Sequence, residues 1–295
     1  MKTKKILLVS FAEGIILCTV IRIFELFFAM NLKTMAYQSG HISVYILNTL
    51  LLILAGGLLF LSFNVSNKNN ISPLKITKAH GITAVILIPF MLYYGFSGLF
   101  SNQLPKAFAI HLLEIIFFVL SLISLMLIFF NSFSEKSKMS MSMLMTPLLL
   151  WSFFRMVSVF VVYISIANIS ERMFNIVFLI SLTIFLLNFS KGLLSSKNRK
   201  NYTMLLYSGM MTVIFGYMTT ISRCFVMLFG HAELKNSIAR PDGMDFLLST
   251  FALISVLCIY RSMKPAAKLK QPQTEDQAYT APKQFQPQER TDIDE

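Results

Sequence analysis

The side chains with the greatest chemical potential in this chain are charged residues that lie inside long apolar runs. The stretch WSFFRMVSVFVVYISI, residues 151–166, is apolar apart from Arg155 and a few hydroxyl groups. Comparable runs also hold Arg22, Arg223, Glu13, Glu25 and Glu114. A charged side chain at the centre of a membrane-spanning helix costs roughly 2.5–3.5 kcal/mol, so such residues usually face protein or ligand. They are therefore the first candidates for a functional site.

The spacing of these charges predicts some of their partners. Glu25 follows Arg22 by three residues, which places both on one helical face and predicts a local ion pair. Arg155 has no carboxylate in its own apolar run, so its partner must come from another helix, a backbone carbonyl or a ligand. We favour Glu114, because counting residues from the ends of the runs puts it closest to Arg155 in depth, with Glu13 as the other candidate.

The apolar run over residues 203–229 carries small and hydroxyl residues on one face, at steps of four, four, three and four: Ser208, Thr212, Gly216, Thr219 and Arg223. Small and hydroxyl residues let membrane helices approach closely and share hydrogen bonds. This pattern favours a helix interface. The alternative is that this face lines a cavity, with the cation of Arg223 at one end.

The polar groups inside the runs concentrate toward the predicted outer side of the membrane. This asymmetry predicts an outward-opening polar pocket between the helices, with Arg155 near its floor. The alternative is that each group pairs privately and only orients its helix. The candidate ligand-binding residues are Arg22, Glu25, His111, Glu114, Arg155 and Arg223.

The sequence HLLE places His111 and Glu114 on one helical face, a spacing found in metal-binding helices. His41 could add a third metal ligand or a second haem ligand, but two or three such residues without a further motif do not define either site. His111 oriented by Glu114 could also serve as a general base. We predict no metal, no cofactor and no catalytic residue, and hence no enzyme.

The elements that must position these residues are membrane helices. Of the 295 residues, 55% are hydrophobic and only 14% are charged, and the mean hydropathy is +0.66, far above the values of soluble domains. The fold class predicted is all-α: a polytopic integral membrane helical bundle, with Thr146 and Pro147 starting the fifth span. Eight apolar runs of about 20 residues give eight transmembrane helices: 6–28, 42–63, 81–101, 108–131, 145–166, 173–194, 203–229 and 244–262.

The basic residues between the spans alternate in density and predict the orientation of the bundle. The segment before the first span and the connections after the second, fourth and sixth spans carry 12 Lys and Arg residues, whereas the other four connections carry 5. Basic residues are retained on the cytoplasmic side. Both termini are therefore predicted to be cytoplasmic, and the net charge of +12 is assigned to membrane borders and the lipid bilayer instead of nucleic acid.

The composition changes abruptly near residue 264. Residues 1–263 form the predicted eight-span transmembrane domain, and residues 264–295 are rich in Gln, Pro and charge and poor in aliphatic residues. Such a segment cannot bury enough apolar surface to fold, so we predict a disordered cytoplasmic tail. It is either a solvated extension or a docking segment for a cytoplasmic protein.

These features favour a multi-pass protein of a plasma membrane, of bacterial type, that binds a small polar or anionic molecule or a lipid headgroup in its outward pocket and transports it. The arginines would supply the charge that attracts an anion. The first alternative is a membrane sensor or accessory subunit that signals through its tail. The second is an intramembrane transferase that uses His111 as its base.

Overall fold

The chain folds into a helical bundle followed by a C-terminal segment. The structure is a computed structural model, and it describes residues 2–31, 36–37, 41–71, 74, 76–99, 108–134, 141–163, 169–194, 199–229 and 242–265. The predicted disordered tail, from residue 266 onward, lies outside the described residues, as do many of the loop lysines and arginines that were used to predict orientation.

Eight α-helices of 20 to 30 residues account for most of the described chain. Their bounds are α1 Lys2–Phe24, α2 Ile42–Lys68, α3 Lys78–Leu99, α4 Phe108–Phe133, α5 Met141–Tyr163, α6 Ile169–Leu193, α7 Arg199–Leu228 and α8 Gly243–Ser262. A π-helical turn, Glu25–Ala29, extends α1. Two short antiparallel strand pairs complete the elements: β1 Met30–Asn31 with β2 Ala36–Tyr37, and β3 Asn69–Ile71 with β4 Met263–Pro265.

The prediction of an apolar helical bundle suited to a membrane is confirmed. Within the described residues, seven helices are long and apolar enough to cross a bilayer, and α3 contributes a shorter apolar stretch, Lys78–Tyr93. Many large apolar side chains on these helices point away from the protein, including Leu52 and Ile53 on α2, which are 76% and 63% exposed. In water such a surface would aggregate, whereas lipid solvates it.

Helices α3 to α8 form a ring. Each helix packs against the next one along the chain, and α8 closes the ring by packing against α3. Helices α1 and α2 pack against each other and against α7, on the outside of this ring. Consequently α5 and α8 are opposite members of the ring, and a contact between their side chains crosses its interior.

Helix α7 is the most buried helix because it has neighbours on both sides. Gly216 is the point of closest approach: a Cβ atom there would lie 2.8 Å from Ser249 Cβ on α8 and 2.9 Å from the ring of Phe178 on α6. Ser208, Thr212 and Thr219 are also buried. The interface interpretation of the α7 stripe is therefore confirmed, because glycine and short side chains let α6 and α8 approach the α7 backbone.

The two ends of the bundle differ in character. At the first end, which we call the arginine end, α1, α5 and α7 finish and α6 and α8 begin, and it holds Arg22, Arg155 and Arg223. At the opposite end, the lysine end, Lys4 Nζ donates a hydrogen bond of 3.1 Å to the carbonyl of Met263 and lies 4.3 Å from the ring centroid of Tyr260. The β3–β4 pair lies at this second end and joins the C-terminus of α2 to that of α8.

One predicted helix start was wrong. Thr146 and Pro147 were expected to begin the fifth span, but α5 begins at Met141 and Pro147 lies inside it. Proline lacks a backbone N–H and clashes with the preceding turn, so it is tolerated best near the beginning of a helix, and here it lies in the second turn. The hydroxyl of Thr146 donates to the Ser142 carbonyl at 3.2 Å instead of capping a helix.

Candidate functional site

Arg155 forms the central ion pair of the arginine end. Its Nη1 donates a hydrogen bond of 2.7 Å to Asp245, and its Nη2 donates one of 3.3 Å to Asp242. Both acids lie at the beginning of α8, whereas Arg155 lies two-thirds of the way along α5. Because α5 and α8 are opposite members of the ring, these hydrogen bonds bridge the interior of the ring.

The shortest ion pair of Arg155 in the described part of the chain is with an acid that residue depth did not favour, and the pairing with Glu114 stays a prediction. Its shortest ion pair is with Asp245, while the Oε2 atom of Glu114 lies 3.7 Å from His111 Nδ1 on its own helix, α4. Asp242 precedes the predicted eighth span and Asp245 is its second residue, so counting residues from the ends of the runs did not select them as partners. The long arginine side chain removes the apparent mismatch in depth, because it reaches from mid-helix toward the end of the bundle.

The two aspartates have different surroundings. Asp242 is the N-cap of α8: its Oδ1 accepts a hydrogen bond of 2.9 Å from the backbone N–H of Met244, and its side chain is 30% exposed. Asp245 is in the first helical turn, with its side chain 11% exposed. Carboxylates at a helix N-terminus are stabilised by the positive end of the helix dipole. The spacing DGMD after an apparent loop could have revealed this N-terminus.

Aromatic rings lie beside the Arg155 guanidinium, on the side that faces the centre of the bundle. Its Cζ lies 5.5 Å from the ring centroid of Trp151, one helical turn earlier on α5. Trp151 is fully buried and lies 6.4 Å, centroid to centroid, from Phe118 on α4. A guanidinium over an indole ring gains a cation–π interaction. The rings thus hold the guanidinium in the direction of α8.

Arg223 adds a second cation to the same cluster. It is buried, and its Nη2 donates a hydrogen bond of 3.1 Å to the amide oxygen of Asn175 on α6. Its charge also attracts the carboxylate of Asp245. The cluster of Arg155, Arg223, Asp242 and Asp245 therefore contains two positive and two negative charges and is neutral as a whole. Asn175, which was not among the predicted residues, has no sequence signal beyond being an amide in an apolar run.

The predicted local pair of Arg22 and Glu25 is confirmed. Arg22 Nη1 donates a hydrogen bond of 2.6 Å to Glu25 Oε2, and the two side chains are 1% and 0% exposed. The guanidinium also lies 4.7 Å from the ring centroid of Phe174 on α6. Glu25 opens the π-helical turn, an element that is rare and often found at functional sites. Arg22 and Arg223 thus contact consecutive residues of α6.

His111 and Glu114 form a contact of their own on one helix. They are on α4, which packs against α3 and α5, and the His111 side chain is 29% exposed. His41, which precedes α2, lies 2.8 Å from the hydroxyl of Ser43 through its Nδ1 atom. Among the described residues, no group of three or more His, Cys, Asp or Glu side chains is arranged to hold a metal ion.

A second buried polar cluster, at the lysine end, was missed from the sequence. His80, at the start of α3, is fully buried against the rings of Phe189 and Phe251. Its Nδ1 accepts a hydrogen bond of 3.2 Å from the Thr77 backbone N–H, so the ring proton is on Nε2, which donates to Ser255 at 3.0 Å. In this tautomer His80 cannot take a proton from Ser255, so the pair links α3 to α8 and is not a nucleophile with its base.

One cavity among the described residues is apolar and lies on the side of the ring. It has a volume of about 480 Å³ and opens between α3, α7 and α8; its lining consists of Ile86, Phe90, Thr220, Ile221, Cys224, Gly243, Phe246 and Leu247. Its volume is in the range of small-molecule pockets. This cavity differs from the outward-opening polar pocket expected from the sequence, which stays a prediction.

The comparisons with known proteins add no further constraint on the site. No protein-family model, no curated protein and no solved structure matches this chain.

Proposed function

We propose that this protein is a membrane transporter of a small anionic solute, in which the ion pair between Arg155 and Asp245 acts as a gate. The observation that carries the proposal is the position of this pair. It joins opposite helices of a six-helix ring and crosses the ring interior at the arginine end. A solute that moves through the ring must separate α5 from α8 at this point.

The chemistry of the pair suits an anion as the solute. A guanidinium binds carboxylates and phosphates with the same forked geometry that it uses for an aspartate side chain. The carboxylate of Asp245 therefore occupies Arg155 in the way that a substrate anion would. An entering anion can replace Asp245 on Arg155, and α8 is then released from α5. The positive dipole end of α8 favours an anion in the same place.

The proposed site uses the predicted residues in different ways. Arg155 binds the anion directly, and Arg223 adds positive potential beside Asp245. Arg22 and Glu25 hold α1 against α6 through their own pair and Phe174, and therefore support the site from outside the ring. His111 and Glu114 contact each other on α4. We propose no direct role for them in the site.

The test is anion flux into proteoliposomes that contain the full chain, with radiolabelled succinate and inorganic phosphate as probes. We expect saturable uptake of one of them, and its loss in Arg155→Gln. Because that variant leaves two aspartates near one remaining cation, its folding must be checked by thermal unfolding. The double variant R155Q/D245N restores charge balance and should fold normally but stay inactive. Normal flux in either variant, or no flux of either probe through the wild-type protein, would overturn the proposal.

We further propose that α1 to α8 each cross the membrane, with the lysine end and both termini on the cytoplasmic side of a bacterial-type plasma membrane. The support is the excess of Lys and Arg at that end. Fusions to the C-terminus test this arrangement. Green fluorescent protein should fluoresce and alkaline phosphatase should be inactive there, and the opposite pair of results would reverse the orientation.

A second candidate function, signalling to a cytoplasmic protein, is favoured by the course of α8. This single helix begins at the ion pair with Arg155 and ends at β4, directly before residues 266–295. A ligand that releases Asp245 would move a helix whose other end leads to the tail. Deleting residues 266–295 should then abolish the downstream response and leave anion binding intact. An unchanged response after the deletion would remove this candidate.

A further inference from the structure

We infer that each anion taken up at Arg155 is accompanied by one proton, which binds to Asp245. This inference rests on the proposed function and names the ion that drives it. The four charged side chains of the cluster, Arg155, Arg223, Asp242 and Asp245, sum to zero. Adding an anion gives this cluster a net negative charge in a poorly solvated ring interior. Such a charge is costly, and a buried group avoids the cost by changing its protonation state.

Asp245 is the group that takes the proton because it loses its strongest partner. Its hydrogen bond to Arg155 is 2.7 Å long, and its side chain is 11% exposed. Once an anion occupies the guanidinium, the charged neighbours of Asp245 in the described part of the chain are Asp242, which repels it, and Arg223 on α7, which also binds Asn175. On the α3 side, the beginning of α8 is covered by an apolar ring, that of Phe90, which packs against Gly243.

Asp242 is less suited to this role. Its Oδ1 accepts the N-cap hydrogen bond from Met244, which requires no proton on that oxygen, and its side chain is 30% exposed to the surroundings of the arginine end. The cap hydrogen bond keeps Asp242 in place at the beginning of α8. The proton comes from the aqueous phase at this end of the bundle, and an O–H bond forms on one carboxylate oxygen of Asp245. No other bond is made or broken.

The coupling has a defined consequence for energetics. Because one proton enters with each anion, the proton offsets one negative charge of the anion. An inward proton gradient therefore drives anion uptake, and the gradient is used at the step in which α8 separates from α5. On release of the anion at the other side, Asp245 releases its proton to the same side and returns to Arg155, which restores the ion pair seen in the structure.

The experiment measures succinate affinity as a function of pH with the purified full chain in detergent. Succinate remains ionised across neutral to mildly alkaline pH, so the probe does not titrate. If one proton binds with each anion, the apparent Kd rises by up to about tenfold for each pH unit. Asp245→Asn is permanently neutral and should bind succinate with no such slope. Glu13→Gln removes one carboxylate from an exposed face of α1, outside the ring, and should retain the wild-type slope, which makes it the matched control.

A second measurement needs no variant: a pH-sensitive dye inside wild-type proteoliposomes should report acidification during succinate uptake. Uptake that neither acidifies the interior nor depends on pH would overturn proton coupling and leave the transport proposal intact. A pH slope that persists in Asp245→Asn would also overturn the assignment to Asp245. Failure of the wild-type protein to bind or transport succinate and phosphate would instead overturn the proposed function, so the two failures are distinguishable.

Discussion

The ion pair across the ring makes a sharp prediction for a double-mutant cycle. Replacing Arg155 by Met or Asp245 by Leu removes one member of a buried pair and leaves the cluster with one excess charge. Breaking such a pair typically costs 3–5 kcal/mol, whereas replacing both members by apolar residues is often neutral or stabilising. The charge sum is zero in the wild type, one unit from zero in each single variant, and zero again in R155M/D245L.

The structure predicts which of the two single variants loses more free energy of unfolding. In D245L the guanidinium keeps Asp242 at 3.3 Å, so we expect the lower end of the range, about 3 kcal/mol. In R155M the two carboxylates of α8 keep only the attraction of Arg223, so we expect a loss nearer the upper end, about 5 kcal/mol. The double variant should lie within about 1–2 kcal/mol of the wild type, which gives a coupling energy of about 6 kcal/mol or more.

Unfolding by denaturing detergent in mixed micelles measures these free energies, and the chain contains its own reporter. Trp151, the single tryptophan, lies 5.5 Å from the Arg155 guanidinium, so its fluorescence follows this region directly. The control cycle pairs R155M with E13L, because Glu13 is exposed on α1, outside the ring. Additivity within about 0.5 kcal/mol in the Arg155–Asp245 cycle would refute the reasoning, because contacting residues in a buried pair must couple.

Two further substitutions follow from the packing. Gly216→Leu should destabilise the protein by about 1–3 kcal/mol in the same unfolding assay, since a side chain there would overlap α6 and α8. Gly56→Leu, at a position with open space around it, should be tolerated. An equal loss of stability in the Gly56 and Gly216 variants would contradict the interface role of Gly216. Glu25→Gln should lower the unfolding temperature strongly because it leaves the buried Arg22 charge without its neutralising carboxylate. Glu13→Gln, on an exposed face of the same helix, should not, and a comparable loss there would argue against the special role of the pair.

Relations within one helix could be predicted from the sequence alone. The apolar composition and run lengths indicate membrane helices because a bilayer leaves few alternatives for a backbone that must satisfy its own hydrogen bonds. The pairing of Arg22 with Glu25 and the interface role of Gly216 follow from helical periodicity, which fixes which side chains share a face. These predictions are confirmed in the structure.

Relations between helices were decided only by the tertiary structure. Asp245 is 90 residues from Arg155 along the chain, and their meeting depends on the order of helices in the ring and on their rotation. Counting residues also placed the acids of α8 too far from Arg155, because it ignored the reach of the arginine side chain. The burial of His80 against Phe189, Phe251 and Ser255 depends in the same way on how α3 closes the ring onto α8. Helical periodicity predicts which face of its helix a residue occupies. Only the packing of the helices decides which neighbouring helix that face contacts.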